Sequence, residues 1–237
     1  MIIMRIQDQS VYILHYRPFR DSSLILELFT QNHGRLAVMS RGGSSPKSKL
    51  KNTLRPFQML SACWSGKGEL PVLSSAEIMQ QNRYQLSGDA LLSALYINEI
   101  LMRLLHKHDV YEEVFLLYQQ TLACLATSDQ IEICLRLFEK KLLQFLGFEM
   151  NLTADADSGE LVSADKQYVY YIEHGPVALS ANNQSSNQMV IDGSSLLAFA
   201  EDDLAIAGIR KQIKFLTRYV LSYYLGDKPL KSRELFR

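Results

Sequence analysis

Carboxylates are absent from one long stretch of this chain. Between Glu27 and Glu69 no acid occurs, while Arg35, Arg41, Lys47, Lys49, Lys51, Arg55 and Lys67 all do. Cysteine is scarce as well: Cys63, Cys124 and Cys134 are odd in number, widely spread and contain no C-x-x-C pair. That pattern fits buried free thiols in a reducing cytosol far better than a disulfide framework, and it argues against a structural zinc site. No apolar run approaches the roughly 18 residues that span a bilayer. The opening "MIIMRIQDQS" lacks the basic start and long apolar core of a signal peptide, so the expected location is cytoplasmic, with no membrane partner. Enzyme signatures are missing too: no phosphate loop, dinucleotide fingerprint, His-Glu-x-x-His or Gly-x-Ser-x-Gly is present. His106 and His108 diverge by roughly 200° on a helix and do not converge on a metal. "FAEDDLA" reads as a solvated helical face and "TADADSGE" as a polar loop; neither has calcium-loop spacing. No catalytic residue, metal or cofactor is expected.

What the chain does have is segregated charge. The net charge is zero over 237 residues, yet residues 1–80 carry +5, residues 81–207 carry −11 and residues 208–237 carry +6. Such separation is informative about partners rather than about fold. Both ends are suited to an anion.

Local patterning changes near residue 80. Before it, "SVYILHY", "SSLILELFT", "RLAVMS" and "PFQMLSACWSG" are β-branched and aromatic runs separated by the turn sequences "QNHG", "RGGSSP" and "GKGELP". Five short strands in about 70 residues predict a small, closed, OB-like barrel. Beyond residue 82, Leu92, Leu95, Tyr96, Leu101, Leu104 and Leu105 fall at helical spacing, as do Ile131, Leu135, Phe138, Leu142, Phe145 and Leu146, with Gly147 placed as a C-cap. "QYVYYIEHGPVALS" reads as strand, turn and strand, and helix returns in "SSLLAFAEDDLA" and "GIRKQIKFLTRYVLSYYLG". The expected organisation is an α+β multidomain chain. Residues 1–80 form the OB-fold nucleic-acid-binding domain, and residues 81–237 a mainly helical domain with a β-hairpin insert at about 150–190.

Alternate lysines in an extended segment point to one side, about 6–7 Å apart, a repeat suited to phosphates along a strand. Arg35, Arg41, Lys47, Lys49, Lys51 and Arg55 are therefore candidate DNA-binding residues, extended by Lys228, Lys231 and Arg233 near the end of the chain. A solvated loop with solubilising lysines explains the composition equally, but such a loop usually mixes signs. Phe57 and Trp64 lie nearby as possible stacking partners for bases, with a core position the competing reading for Trp64.

Several ordered blocks resemble the RecO family of bacterial recombination mediators, in its proteobacterial branch. They are "YRPFRDSSLILELFTQNHGRLAVMSRGGSSPKSKLKNTLRPF", "GKGEL" before "LSSAE", "LYINEIL", "LRLFEKKLLQFLGF" and the closing "KPLKSRELFR". The resemblance covers essentially the whole chain. It implies an N-terminal OB-fold, a helical C-terminal domain and no enzymatic turnover. It also implies binding of single- and double-stranded DNA, strand annealing, and cooperation with RecR in loading RecA onto DNA coated by single-stranded DNA-binding protein (SSB). Many members carry a four-cysteine zinc module after the "LGF"-like helix; here residues 151–180 contain no cysteine. The family docks the acidic, Phe-terminated SSB tail on its helical domain. Arg136, Lys140 and Lys141 are candidates for that contact, against the alternative that Glu132 pairs with Arg136 four residues on. A nucleoid-associated role in gap and double-strand-break repair follows from the resemblance. The rival readings are a non-enzymatic OB-fold scaffold or RNA-associated adaptor, and a nuclease, which would need carboxylates beside the basic surface.

Overall fold

Alternation along the first strands sets the architecture, because successive residues face opposite sides of a strand. The computed structural model describes residues 4–45, 48–66, 68–181, 185 and 188–236. Five strands, β1 (Met4–Phe19), β2 (Ser23–Thr30), β3 (Gly34–Ser40), β4 (Gln58–Gly66) and β5 (Val72–Arg83), close into a barrel in the order β1-β2-β3-β5-β4. All pairings are antiparallel except β3 with β5, which meet in parallel at Met39 and Val72. Val11, Ile13, Leu26, Leu28, Val38, Leu60 and Trp64 fill its interior. The OB-like barrel expected from the sequence is therefore present, and closure leaves few exposed strand edges.

The other side of the same strands is also dry. Tyr12 and Phe29 are fully buried and meet Phe115 and Tyr118 at ring separations of 4.9–6.2 Å. Those partners belong to α2 (Glu112–Thr127), which packs beside α1 (Gly88–Leu104). A buried hydrogen-bond chain fixes the docking: Tyr118 Oη donates to Asn98 Oδ1 at 2.7 Å, and Asn98 Nδ2 donates to the Leu14 carbonyl at 2.8 Å. The chain accordingly divides into one compact unit of Met1–Ser128 with Leu230–Arg237, and another of Asp129–Pro229. The first unit extends beyond residue 80 because the apolar outer face of the barrel needs a helical cover.

In the second unit, α3 (Ile131–Phe145), α4 (Gly193–Ala200) and α5 (Ala207–Leu225) accompany a three-stranded sheet. Its strands are β6 (Gln167–Tyr171), β7 (Gly175–Ala178) and β8 (Val190–Asp192), in the order β7-β6-β8. The β6–β7 hairpin matches the expected insert; the short β8 gave no periodic signal. α3 ends as its glycine foretold. Gly147 is left-handed at φ +82°, its N–H donates to Gln144 O, and the Phe148 N–H donates to Leu143 O, the paired bonds of a Schellman cap. Asp155 departs from the polar-loop reading. It is buried, and its carboxylate accepts from the backbone N–H groups of Asp157, Ser158 and Ala178. Burial works against ionisation, yet these bonds, led by Ser158 and Ala178, hold its pKa below the ordinary aspartate range.

Among the cysteines, Cys63 is a free thiol. The free-thiol reading therefore holds for Cys63. Among the described residues no helix is long and apolar enough to cross a membrane.

Candidate nucleic-acid interface

The segment between β3 and β4 builds the site. Ser48 caps a short 3-10 turn, Lys49–Asn52, by accepting from the Leu50 N–H at 3.2 Å. Leu54 is buried in the barrel core and Leu50 packs against it, so the loop is pinned at two apolar points. This corrects the expected row of lysines on an extended strand. A 3-10 turn has three residues per turn and does not keep alternate positions on one side. Lys47 and the side chain of Lys49 lie outside the described residues.

The pinned loop forms one wall of a cleft of about 980 Å³, lined among others by Tyr16, Lys51, Asn52, Arg55, Phe57 and Tyr84. Lys51 and Arg55 are both exposed, and Arg55 Nη2 donates to Asn52 Oδ1 at 3.0 Å, which orients the guanidinium. Tyr16 is 46% exposed on β1. Burial raises the pKa of Tyr84, so its hydroxyl stays neutral at physiological pH. No carboxylate lines the cleft among the described residues. Its lining thus offers two cations, two accessible tyrosines and amide groups, a set suited to phosphates and unpaired bases.

Other expected residues are placed differently. Arg35 is only 12% exposed in its side chain; Nη1 donates to Glu27 Oε2 at 3.0 Å and Nε to the Leu105 carbonyl at 3.1 Å. Its charge is consumed in fastening β3 to the end of α1, so it is withdrawn from the DNA set. Phe57 and Trp64 are 8% and 5% exposed, which makes both core residues rather than stacking platforms. Phe57 forms cleft floor in a left-handed conformation, φ +66°, uncommon for a bulky side chain and found where surrounding structure over-determines the backbone. Arg41 is exposed in the turn after β3. Lys228 and Lys231 are exposed near the end of the chain, and Lys231, which belongs to the first unit, does not line the cleft. Arg233 lies in the terminal 3-10 helix, Lys231–Phe236, with its side chain outside the described residues. Sequence pattern does not single out Tyr16 and Tyr84, because a tyrosine on a strand, as Tyr16 is, or just past the end of one, as Tyr84 is, gives no signal separating outward from inward.

The three cations proposed for an acidic tail do not form a common surface. Arg136 is buried, with Nη2 donating to Glu139 Oε1 at 2.8 Å and Nη1 to Thr217 Oγ1 at 2.9 Å. The expected alternative, Glu132 with Arg136, is also replaced: Glu132 pairs with Lys214 at 3.0 Å. Lys140 Nζ donates to the Phe199 and Ala200 carbonyls at 2.6 and 2.8 Å and to Asp202, closing the C-terminus of α4. Lys141 alone of the three is exposed on α3.

Fold and cleft together define a class: a closed β-barrel module continued by helices, bearing an acid-free, tyrosine-lined surface suited to a polyanion. Comparison with known proteins makes the assignment specific. The model for "Recombination protein O N terminal" matches residues 4–82 and that for "Recombination protein O C terminal" matches residues 85–234. Curated relatives named "DNA repair protein RecO" include those of Nitrosospira multiformis, 41% identical over 98% of this chain and 96% of the relative, and Coxiella burnetii, 39% identical over 98% of each. The relative from Dechloromonas aromatica is 39% identical over 98% of this chain and 96% of its own. The chain belongs to the RecO family.

Proposed function

We propose that this protein is a non-enzymatic DNA-binding recombination mediator acting in DNA repair in the cytoplasm, at the nucleoid. The observation that carries the reading is the cleft beside the β3–β4 segment. Lys51 and Arg55 stand there next to Tyr16 and Tyr84, with no carboxylate among the described lining residues, in a chain of the RecO family. Phosphates of a single strand meet the two cations and release counterions, while neighbouring bases stack on the tyrosines. Because the binding is electrostatic and reads no base edges, it accepts any sequence and also engages duplex phosphates. Holding two strands on one molecule raises their effective concentration, which accelerates annealing without bond chemistry. Cooperation with RecR and indirect supply of strands to RecA complete the proposed role, with recruitment through the acidic SSB tail. On this protein such a tail would meet Lys141 rather than the buried Arg136 or the engaged Lys140.

The deciding measurement is the affinity for a fluorescent oligothymidylate as a function of salt, comparing wild type with Lys51→Ala/Arg55→Ala. For single strands the slope falls by about 0.7 for each phosphate that is no longer neutralised, hence by roughly 1.4 for the pair. An unchanged slope would remove the cleft from the DNA path, and absence of any binding by the wild type would remove the reading itself. Higher affinity for the equivalent RNA would favour the adaptor reading.

A further inference from the structure

The outward side of α5 has a composition that its packing does not require. The helix carries Arg210, Lys211, Lys214 and Arg218 and no acid in 19 residues. Two of these cations serve the unit itself: Arg210 Nη1 donates to the Leu204 and Ala205 carbonyls, and Lys214 pairs with Glu132. Lys211 is exposed, and so is Arg218, which also holds an interaction of its own within the protein. Between and beyond them stand three large aromatics in water, Phe215 at 52%, Tyr219 at 38% and Tyr223 at 56% exposure. Residues 211, 215, 219 and 223 recur at every fourth position, so they follow one side of the helix with about 6 Å between neighbours along its axis. Arg218 is three residues from Phe215 and joins the same side.

The helix does not need this row to hold its place. Ile213, Leu216, Val220 and Leu221 already supply a fully buried face. Tyr223 is nevertheless kept in position, edge-on to Tyr224 at 5.2 Å, and Tyr224 is stacked on Phe148 at 4.0 Å. Protein interfaces also favour aromatics and Arg but are depleted of Lys, whereas this row opens on Lys211 and sets its rings among cations with no acid. Single-stranded nucleic acid presents the complementary alternation, π-faces and phosphates repeating along one polymer. We infer that the Lys211–Tyr223 side of α5 is a stacking platform for unpaired bases of single-stranded DNA, distinct from the barrel cleft. The inference rests on the DNA-binding reading above. A base stacked by its face keeps its pairing edge unengaged, so a strand held here stays competent to meet a complement.

The test uses the full chain with Phe215→Ala/Tyr219→Ala/Tyr223→Ala, whose side chains are exposed, and the conservative Tyr219→Phe/Tyr223→Phe as a control that keeps the rings. Oligothymidylate and a duplex of equal length are titrated with each. The expected result is a loss of at least about tenfold in single-strand affinity for the triple variant, little change with duplex, and wild-type binding by the conservative pair. The salt slope stays the same in the triple variant, because rings release no counterions, and falls in Lys211→Ala/Arg218→Ala. Wild-type single-strand affinity in the triple variant would overturn the inference while leaving the cleft reading intact. Equal losses on single strand and duplex would overturn it too, as would a change of oligomeric state, which would mark the face as a contact between copies. Failure of the wild type to bind either DNA would instead strike the DNA-binding reading on which the inference stands.

Discussion

Gly34 shows how tightly single positions constrain this chain. It closes the β2–β3 turn at φ +64°, and a Cβ placed there would lie 2.0 Å from the Asp109 carbonyl oxygen. Gly42 has almost the same dihedral, φ +68°, but open space around it. Alanine in the left-handed region costs about 1–2 kcal/mol by itself, so Gly42→Ala is expected to destabilise by about that amount. Gly34→Ala should cost clearly more, because backbone must move as well. Urea denaturation of the two variants separates the steric part from the dihedral part, and equal losses would refute the close-approach account. The same scale explains why residue type misled at several candidate positions. Arg35 and Arg136 are cations by composition, yet one is bonded to Glu27 and the Leu105 carbonyl and the other to Glu139 and Thr217. Nothing in a string of residues separates a solvated guanidinium from one already satisfied.

At the scale of elements, the Arg136 network joins two helices of the second unit. Arg136 and Glu139 lie three apart on α3 with side-chain exposures of 3% and 0%, and Thr217 comes from α5. Removing one member of a buried pair strands the other charge, which typically costs about 3–5 kcal/mol. Arg136→Ala is therefore expected to destabilise the protein by that order. Arg136→Met/Glu139→Leu should recover much of the loss, since the double change removes both desolvation penalties. Thermal unfolding of the single and double variants checks this, and additive losses would show that the pair is not acting as a unit. α3 is thus primarily a packing element. That is the physical reason its cations are a weaker recruiting surface than their spacing promised.

At the scale of the molecule, the chain returns at its end to the unit where it began. Glu99 on α1 accepts from the Ser232 N–H at 2.8 Å, the Ser232 hydroxyl at 2.7 Å and the Lys231 N–H at 3.0 Å, and pairs with Arg103 at 2.8 Å. The carboxylate meets the N-terminus of the final 3-10 helix, where N–H groups lack partners of their own. Burial alone would raise the pKa of Glu99; the bonds from Ser232 and Lys231, with Arg103, outweigh it and hold the group below its ordinary value. A depressed folded-state pKa contributes stability above the unfolded value of about 4.3, and that contribution fades as pH falls through the folded value. Glu99→Gln is expected to lose about 1–3 kcal/mol at pH 7. The gap to wild type should narrow below about pH 4. Melting curves between pH 7 and pH 3 provide the check, and a constant gap would show that the ionised form is not what holds the terminal segment.

By itself, the sequence determined what depends on local pattern and on chemical inventory. Alternating apolar runs between Gly-, Asn- and Ser-rich turns require strands, the left-handed glycine at 147 ends α3, and an unopposed run of cations makes the β3–β4 segment electropositive wherever it lies. Those features survive because neighbours in sequence produce them. The tertiary structure decided which faces are used. It drew Tyr12 and Phe29 under α2, Phe57 and Trp64 into the core, and Arg136 between α3 and α5, while leaving Tyr16 and Tyr84 in the cleft and Phe215, Tyr219 and Tyr223 in water. Identical side chains take opposite roles because burial is set by the element that packs across from them. That partner is often distant along the chain, as Arg136 from Thr217 by 81 residues and Glu99 from Ser232 by 133.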